Sequence, residues 1–494
     1  MYTMKLKAFL LFFLLSSFSL LQASDKPLIK IETERTSLIY QVADNGRLYQ
    51  KYLGKKLHHD SDIQYLPQGT EAYLTHGMED YFEPAIHIRH NDYNSSLLLK
   101  YVDHSSNNTG NGINETVITL KDDKYPVTVK LHYVAYDKEN IIRTFTEISH
   151  EEKKPVQLQQ FASAYLPVRR GNVWLSHLSG AWANEGQLCQ EALQPGMKVI
   201  KNTDGVRNSQ SAHAEVMFSL DGKPQENTGR VIGAALCYSG NYKLRIDTQE
   251  DDWHHFLAGI NEENSWYNLK KEEVFRTPAL ALTYSDEGMS GCSRKFHQWA
   301  RLHKLANGNT PRKILLNSWE GVYFDINEQG MDQMMGDIAA MGGELFVMDD
   351  GWFGHRKNDD SSLGDWYVNE KKLKGGLSSL IERVNAEGLK FGIWYEPEMI
   401  SPDSDLYRAH PDWCLHVPNR ENSPARLQYV FDMTRKDVRD NIFAQMYKVL
   451  SENKIDYVKW DFNRNLTEVG SALLPPERQK EVMHRFVLGT YDLM

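Results

Sequence analysis

The sequence predicts a chain of two parts, an antiparallel β-sandwich followed by parallel strands that alternate with helices. Between about residues 27 and 283, short runs rich in Val, Ile, Thr and Tyr, such as residues 125–136 and 141–148, are separated by turn sequences of Gly, Asn and Asp. Regularly spaced short strands are typical of a large antiparallel sandwich. After Pro311 the pattern becomes strand, loop and helix, which is typical of a parallel α/β sheet or barrel.

A helix is predicted where the two patterns meet. Phe296, Trp299 and Leu302 recur at helical spacing, and Gly308 and Pro311 follow them. The predicted divisions are a sandwich domain at residues 25–284, a linking helix at 285–311 and a second domain at 312–494.

The second part contains four predicted strands. They are residues 314–319, 345–348, 391–394 and 457–460, with helices predicted at 329–341, 376–387 and 435–453. Two further apolar runs, at 413–417 and 427–431, have no helix between them, so we interpret them as an excursion from the sheet. The strand at 457–460 is then the fourth.

Composition and the N-terminus limit the cellular setting. The chain has 494 residues and a net charge of −10 without a basic patch, so nucleic acid is not an expected partner. Lys5 and Lys7 precede an apolar run at residues 8–21 and the small residue Ala23, as in a secretory signal at residues 1–23. That run is short for a membrane span, so we expect an exported protein, periplasmic or secreted.

The predicted strands of the second part all end in polar or aromatic residues. In a (β/α)₈ barrel the C-terminal ends of the strands line the active site, so these residues are expected to meet there. The four ends are NSWE at 317–320, DDGW at 349–352, WYEPE at 394–398 and KWD at 459–461.

The last of these ends provides a candidate nucleophile. Lys459 and Asp461 lie two residues apart on a predicted strand and should point the same way, so that the cation keeps the carboxylate ionised and oriented. A retaining glycosidase uses such a carboxylate as nucleophile, although an ordinary ion pair at a strand end has the same pattern.

The other carboxylates allow more than one interpretation. Asp349 and Asp350 could be an acid and a base, but we interpret them as acceptors for sugar hydroxyls on a loop. Glu396 and Glu398 could face one site, or could hold the mouth of a barrel by pairing with Arg or backbone N–H groups. A metal site of Asp349, Asp350, His355, Asp359 and Asp360 does not fit calcium-loop spacing.

Aromatic residues also favour a carbohydrate pocket, because an apolar ring face suits the apolar face of a sugar. Four tryptophans fall at or just after predicted strand ends, and a set on one rim is typical of a sugar site. They are Trp319, Trp352, Trp366 and Trp394.

Taken together, the motifs of the second part resemble glycoside hydrolase family 36, the bacterial α-galactosidases. The resemblance runs from about residue 310 to the end and extends more weakly over the first part, at residues 180–185. The motifs are LFVMDDGWFG at 345–354, LGDW at 363–366, WYEPEM at 394–399, SPDSDL at 401–406, KWDFN at 459–463 and LPPERQ at 474–479.

This resemblance implies a fold and an activity. It implies an N-terminal β-supersandwich, a catalytic (β/α)₈ barrel, a homo-oligomer, and retaining hydrolysis of terminal α-linked galactose from raffinose, melibiose or galactomannan. No cofactor or metal is implied, since two carboxylates suffice for glycoside hydrolysis. Asp461 matches the nucleophile, and the matched sugar-site positions are Trp319, Asp349, Asp350, Trp394, Arg426, Lys459 and Asn463.

One departure from the family concerns the end of the sequence. The family's general acid/base aspartate, and a loop that helps to choose the sugar, lie beyond the nucleophile and are not found before Met494. The expectation is therefore a barrel that is incomplete in this chain, with α-N-acetylgalactosaminidase activity or a catalytically dead carbohydrate-binding fragment as alternatives.

Overall fold

A computed structural model of the chain describes residues 26–77, 82–206, 210–466 and 469–494. The predicted signal peptide at residues 1–23 lies outside these ranges. Among the residues described, no helix has the length and apolar character needed to cross a membrane.

The first part of the chain is built from strands, as the sequence predicts. Its strands are β1 (Leu28–Glu32), β2 (Thr36–Val42), β3 (Leu48–Lys55), β4 (Ile86–Arg89), β5 (Leu99–Gly110), β6 (Ile113–Asp122), β7 (Val127–Tyr136), β8 (Ile141–His150), β9 (Val156–Arg169), β10 (Trp174–Ala181), β11 (Asn184–Ala192), β12 (Gly196–Lys201), β13 (Ala212–Ser219), β14 (Val231–Cys237), β15 (Tyr242–Thr248), β16 (Trp253–Ile260), β17 (Tyr267–Leu269), β18 (Phe275–Arg276) and β19 (Ala279–Ser285).

Two large antiparallel sheets organise this part. The longer one has the order β11-β10-β13-β14-β19-β8-β7-β6-β5, with β18 also paired to β8, and the shorter one has the order β12-β15-β16-β9-β17, with β4 paired to β9. Phe218 of β13 meets Phe256 of β16 with ring centroids 5.2 Å apart, and Phe161 of β9 meets Phe275 of β18 at 4.7 Å. The sheets therefore pack face to face and share an aromatic core.

The second part alternates helices and strands. Its elements are α1 (Gly288–His303), β20 (Leu315–Asn317), α2 (Trp319–Val322), α3 (Glu328–Ala340), β21 (Leu345–Met348), α4 (Gly376–Ala386), β22 (Lys390–Tyr395), β23 (Met399–Ile400), α5 (Asp405–Ala409), β24 (Tyr429–Val430), α6 (Lys436–Glu452), β25 (Tyr457–Trp460) and α7 (Val482–Leu493).

A parallel sheet with the order β20-β21-β22-β25 forms the centre of the second part. The strand at Tyr457–Trp460 is its fourth member, as predicted, and the run at 427–431 stays outside it, because β24 pairs antiparallel with β23 instead. Within the described residues the sheet is open and does not close into a barrel. All four carboxyl ends lie along one edge, which is where the predicted site residues are.

Apolar stripes explain why the helices pack against this sheet. Each helix buries residues at intervals of three and four, while every residue of β21 is buried. The buried side chains are Met331, Met335 and Ile338 in α3, Leu377, Leu380, Ile381 and Val384 in α4, and Val438, Ile442, Met446 and Val449 in α6.

Helix α7 joins the second part to the first. Glu481, directly before the helix, is buried and accepts hydrogen bonds from the backbone N–H of Asn268 at 2.9 Å and from the Arg485 side chain at 2.7 Å. Within the helix, the buried His484 contacts Tyr238 of the first part across 3.1 Å. The two parts thus share a polar and aromatic interface.

The packing of α7 allows a test of the fold. A Cβ at Gly489 would lie 1.9 Å from the carbonyl oxygen of Met433, whereas a Cβ at Gly336 in α3 would meet nothing within 4 Å. We expect Gly489→Ala to lower the free energy of unfolding by about 1–3 kcal/mol through overpacking. Gly336→Ala should raise it by about 0.5–1 kcal/mol through helix propensity. Urea unfolding of both variants measures the difference, and equal effects would contradict this packing.

Candidate active site

The carboxyl ends of β20, β21 and β25 are joined by contacts to one carboxylate, Asp349. Lys459 Nζ lies 2.7 Å from Asp349 Oδ2, and Asn317 Nδ2 donates to the same oxygen at 2.6 Å. The backbone N–H of Asp350 donates to the other oxygen, Oδ1, at 2.9 Å. Asp349 is therefore a buried acceptor held in a single orientation.

The predicted pairing of Lys459 with Asp461 is wrong, since Lys459 makes its ion pair with Asp349. The strand ends at Trp460, so the alternation of side chains that places Lys459 and Asp461 on one face no longer applies at Asp461. Lys459 instead reaches past β22 to the end of β21.

Asp461 is held by neutral donors. Trp394 Nε1 donates to Asp461 Oδ2 at 3.2 Å, and the backbone N–H of Phe462 donates to Oδ1 at 3.0 Å. Its own backbone N–H donates to the carbonyl of Tyr395 at 2.8 Å, which extends the pairing of β22 and β25 by one residue. The Asp461 carboxylate is half-buried, and no ion pair joins it to another described residue. It is thus oriented without being neutralised.

Two further glutamates lie beneath Asp461 and contact Asn463. Asn463 Nδ2 donates to Glu396 Oε1 at 2.6 Å, and the backbone N–H of Asn463 donates to Glu398 Oε1 at 2.9 Å. Both glutamates are 0% exposed. Burial raises the pKa of Glu396 by more than Arg426 and Asn463 lower it, and burial followed by the charge of Glu396 raises the pKa of Glu398. These contacts match the interpretation in which the pair binds Arg and backbone N–H groups.

Asp350 binds Arg356, a residue that the sequence patterns did not single out. Arg356 Nε and Nη2 donate to the two oxygens of Asp350 at 2.9 and 2.7 Å, and Arg356 is 0% exposed. Burial raises the pKa of Asp350, and Arg356 offsets that increase only in part. The predicted sugar contacts of Asp349 and Asp350 would use acceptor positions that these protein donors leave open.

Arg426 lies between Asp359 and the buried Glu396. Its guanidinium lies 3.1 Å from Asp359 Oδ1 and 3.5 Å from Glu396 Oε1. The backbone at Arg426 and Leu427 has φ values of 53° and 61°, so two consecutive side chains occupy the left-handed region. This turn directs Arg426, which remains partly exposed, towards the site.

The four predicted rim tryptophans have different positions. Trp352, Trp366 and Trp394 are 0%, 2% and 2% exposed and pack together, with Trp352 Nε1 donating to the carbonyl of Trp394 at 3.0 Å. The prediction that four tryptophans form a rim of stacking surfaces is therefore wrong, because three of these rings form the core below the site. Trp319 is only half-buried, and it packs edge to face with Tyr323 and Phe324 at 5.2 and 5.0 Å between ring centroids.

The metal site considered from the sequence has no support in the contacts. His355 pairs with Asp403 at 3.1 Å, and Asp350 is occupied by Arg356. Across the described parts of the chain, no group of three or more His, Cys, Asp and Glu residues is arranged to hold a metal ion.

The Asp350–Arg356 pair predicts a large effect on stability. We expect Arg356→Met to lower the free energy of unfolding by about 3–5 kcal/mol, because it leaves Asp350 buried without its cation. Arg408 is 52% exposed and pairs with Asp403 and Asp405, so Arg408→Met should cost no more than about 1 kcal/mol. Denaturant unfolding provides the comparison, and similar losses in both variants would contradict the assignment.

Comparison with known families agrees with this arrangement. Residues 46–270 match the family described as Glycosyl hydrolase family 36 N-terminal domain, and residues 274–494 match the family described as Melibiase. Alpha-galactosidase Mel36A of Lactobacillus acidophilus is 34% identical over 94% of this chain and 68% of its own length. Alpha-galactosidase AgaA of Geobacillus stearothermophilus is 37% identical over 86% of this chain and 60% of its own length.

Solved structures of the α-galactosidase AgaA also superimpose on this chain. A variant of AgaA in complex with 1-deoxygalactonojirimycin superimposes with a TM-score of 0.90 at 33% identity, covering 94% of this chain and 70% of that one. A second variant in complex with raffinose also gives 0.90, and one in complex with stachyose gives 0.88, with the same coverage. The chain thus spans about two thirds of the length of these relatives. It belongs to glycoside hydrolase family 36.

Proposed function

We propose that this protein is a retaining α-galactosidase that releases terminal α-linked galactose from oligosaccharides of the raffinose type. The observation that carries the proposal is the position of Asp461, a half-buried carboxylate oriented by Trp394 and by backbone at the carboxyl edge of a parallel sheet. The relatives named alpha-galactosidases support the substrate class, and variants of one of them, AgaA, have been seen in complex with raffinose and with stachyose.

In the proposed reaction, a carboxylate oxygen of Asp461 attacks the anomeric carbon of the galactoside. A covalent ester forms as the bond to the leaving-group oxygen breaks, and water then releases galactose with overall retention. The leaving group takes its proton from a second carboxyl about 5–5.5 Å from the nucleophile. The family resemblance places that acid C-terminal to Asp461, and we assign the role to no described residue.

The residues around Asp461 are suited to binding a galactose ring. Asp349 offers acceptor positions for hydroxyls, while Lys459 and Arg426 are partly exposed donors. Asn463 adds an amide, and the half-buried Trp319 adds an aromatic side chain. Trp394, which is 2% exposed, would act chiefly by holding Asp461.

The proposal extends to architecture. The four parallel strands would be part of a (β/α)₈ barrel whose active site lies at the carboxyl ends of the strands. The open edges at β20 and β25 and the helices on the sheet support this proposal. The division between residues 284 and 312 is proposed on the change of sequence pattern, and a homo-oligomeric state is proposed on the resemblance alone.

Replacing the nucleophile provides a direct test. Asp461→Asn should lower kcat by about 1000-fold or more, because an amide does not attack the anomeric carbon. The amide keeps only one of the two hydrogen bonds that the carboxylate accepts, so we expect the free energy of unfolding to fall by no more than about 1–2 kcal/mol. The control is Asp456→Asn, an exposed carboxylate at the other end of the same strand that pairs with Lys390.

The assay for this test uses aryl α-galactoside and aryl α-N-acetylgalactosaminide in parallel. In protein that includes an acid/base residue C-terminal to Asp461, we expect hydrolysis of the galactoside by the unmodified enzyme and by Asp456→Asn. Turnover by Asp461→Asn would exclude Asp461 as nucleophile, and preference for the N-acetylated substrate would overturn the proposed specificity.

Export is proposed from the N-terminal signal and has its own test. Mass spectrometry of protein recovered outside the cytoplasm should find an N-terminus near Ser24, after cleavage at Ala23. Leu14→Arg, which interrupts the apolar run, should retain the protein inside uncleaved. An intact N-terminus on correctly folded cytoplasmic protein would contradict this proposal.

A further inference from the structure

Glu396 and Glu398 are placed unusually for glutamates so close to a nucleophile. Each is fully buried, and each commits one oxygen, Oε1, to Asn463. The second oxygen of each, Oε2, has no hydrogen-bond partner among the described residues. One segment, residues 396–398, therefore fixes both the backbone and the side-chain amide of Asn463.

Among the described residues, the cations near Glu396 and Glu398 are too few to balance two ionised carboxylates. Arg426 is the cation that contacts Glu396, at 3.5 Å, and it lies nearer to Asp359, at 3.1 Å. Asp461, after β25, and Asp350, after β21, face the pair with negative charge. An unpaired ionised carboxylate is very costly to bury, so carboxyls in this position retain protons. Since Oε1 accepts in both residues, a retained proton would lie on Oε2.

We propose that Glu396 and Glu398 are positioning residues that hold Asn463 as neutral acceptors, and that they thereby fix the loop carrying Asp461 without adding charge beside it. This inference rests on the proposed function, because Asp461 is the nucleophile only there. In this role the pair accepts hydrogen bonds from Asn463, and it neither exchanges a proton with the substrate nor acts as the anion of an ion pair.

The arrangement has a consequence for recognition of the sugar. Glu396 accepts one of the two N–H groups of Asn463 Nδ2, so Asn463 keeps one N–H to donate and its Oδ1 to accept. The orientation of the amide then fixes where a sugar hydroxyl meets a donor and where it meets an acceptor. Glu396 determines which end of the amide faces the ligand, because an acceptor at that position excludes the flipped amide.

Four variants of the full chain test this role. Glu398→Gln keeps an acceptor oxygen and no charge, so kcat and KM for aryl α-galactoside should stay within about 3-fold of the unmodified chain. Glu398→Ala removes the acceptor of the Asn463 N–H, and displacing the loop should lower kcat by about 100-fold. Glu396→Ala frees the amide of Asn463 and should act mainly by raising KM. Glu382→Gln, on the exposed face of α4, is the matched control.

The pH profile separates a neutral pair from a charged one. If the pair is neutral, Glu398→Gln leaves the acidic limb of kcat/KM in place, because the charge around Asp461 is unchanged. A charged glutamate beside Asp461 would place the acidic limb at higher pH, and its removal would shift that limb to lower pH. A shift of about one pH unit would therefore overturn the proposal.

Two measurements do not depend on turnover. Infrared spectra at neutral pH should contain the carbonyl stretch of a protonated carboxylic acid, and Glu398→Gln should weaken that band while Glu382→Gln leaves it unchanged. Calorimetry with 1-deoxygalactonojirimycin should give the same Kd for Glu398→Gln and the unmodified chain, and a Kd raised about 10-fold or more for Glu396→Ala.

These readouts distinguish the two proposals. Unmodified protein that includes an acid/base residue C-terminal to Asp461, binds the inhibitor and has the infrared band but hydrolyses nothing would contradict the proposed function and leave the buried pair supported. Loss of activity in Glu398→Gln equal to that in Glu398→Ala, or absence of the infrared band, would overturn the role of the pair. Full activity in Glu398→Ala would do so as well.

Discussion

The site depends on the contact between the end of β22 and the end of β25. Four hydrogen bonds join residues 394–398 to residues 461–463, two of them to Asp461 and two to Asn463. The parallel ladder ends where Tyr395 pairs with Trp460, and these bonds continue it into the loops. A nucleophile on an unsupported loop would sample many orientations, and this contact leaves Asp461 with one.

A cluster of buried ionisable side chains lies beside this contact. Asp349, Asp350, Arg356, Glu396 and Glu398 are each at most 2% exposed. Burying a charge is costly unless an opposite charge compensates for it. Here Lys459 forms an ion pair with Asp349, and Arg356 forms one with Asp350. A hydrophobic core in their place would give a similar or greater stability. What the charged cluster adds is preorganisation, since its dipoles are fixed before the substrate arrives.

The sequence predicts most of this fold because the strands are bounded apolar runs. The strands at Leu345–Met348 and Tyr457–Trp460 have the predicted bounds, and the helices differ from prediction by one or two residues at most ends. The site is only partly predictable. Alternation along a strand paired Lys459 with Asp461, but it fails one residue beyond the strand, where tertiary contacts decide the direction of a side chain. Arg356 follows Asp350 by six residues without a periodic signal, so only the folded loop shows their pairing.

The distribution of charge connects these features to the chemistry. Lys459, Arg356 and Arg426 pair with Asp349, Asp350 and Asp359, which balances the positive charges of the described cluster. With Glu396 and Glu398 neutral, the remaining charge of that cluster is the carboxylate of Asp461. Glycoside cleavage develops positive charge at the anomeric carbon, and an unneutralised carboxylate beside it stabilises that charge before the covalent bond forms. A salt bridge from Lys459 to Asp461 would have weakened this effect. Because Lys459 pairs with Asp349 instead, the carboxylate of Asp461 keeps its charge available to stabilise the anomeric carbon.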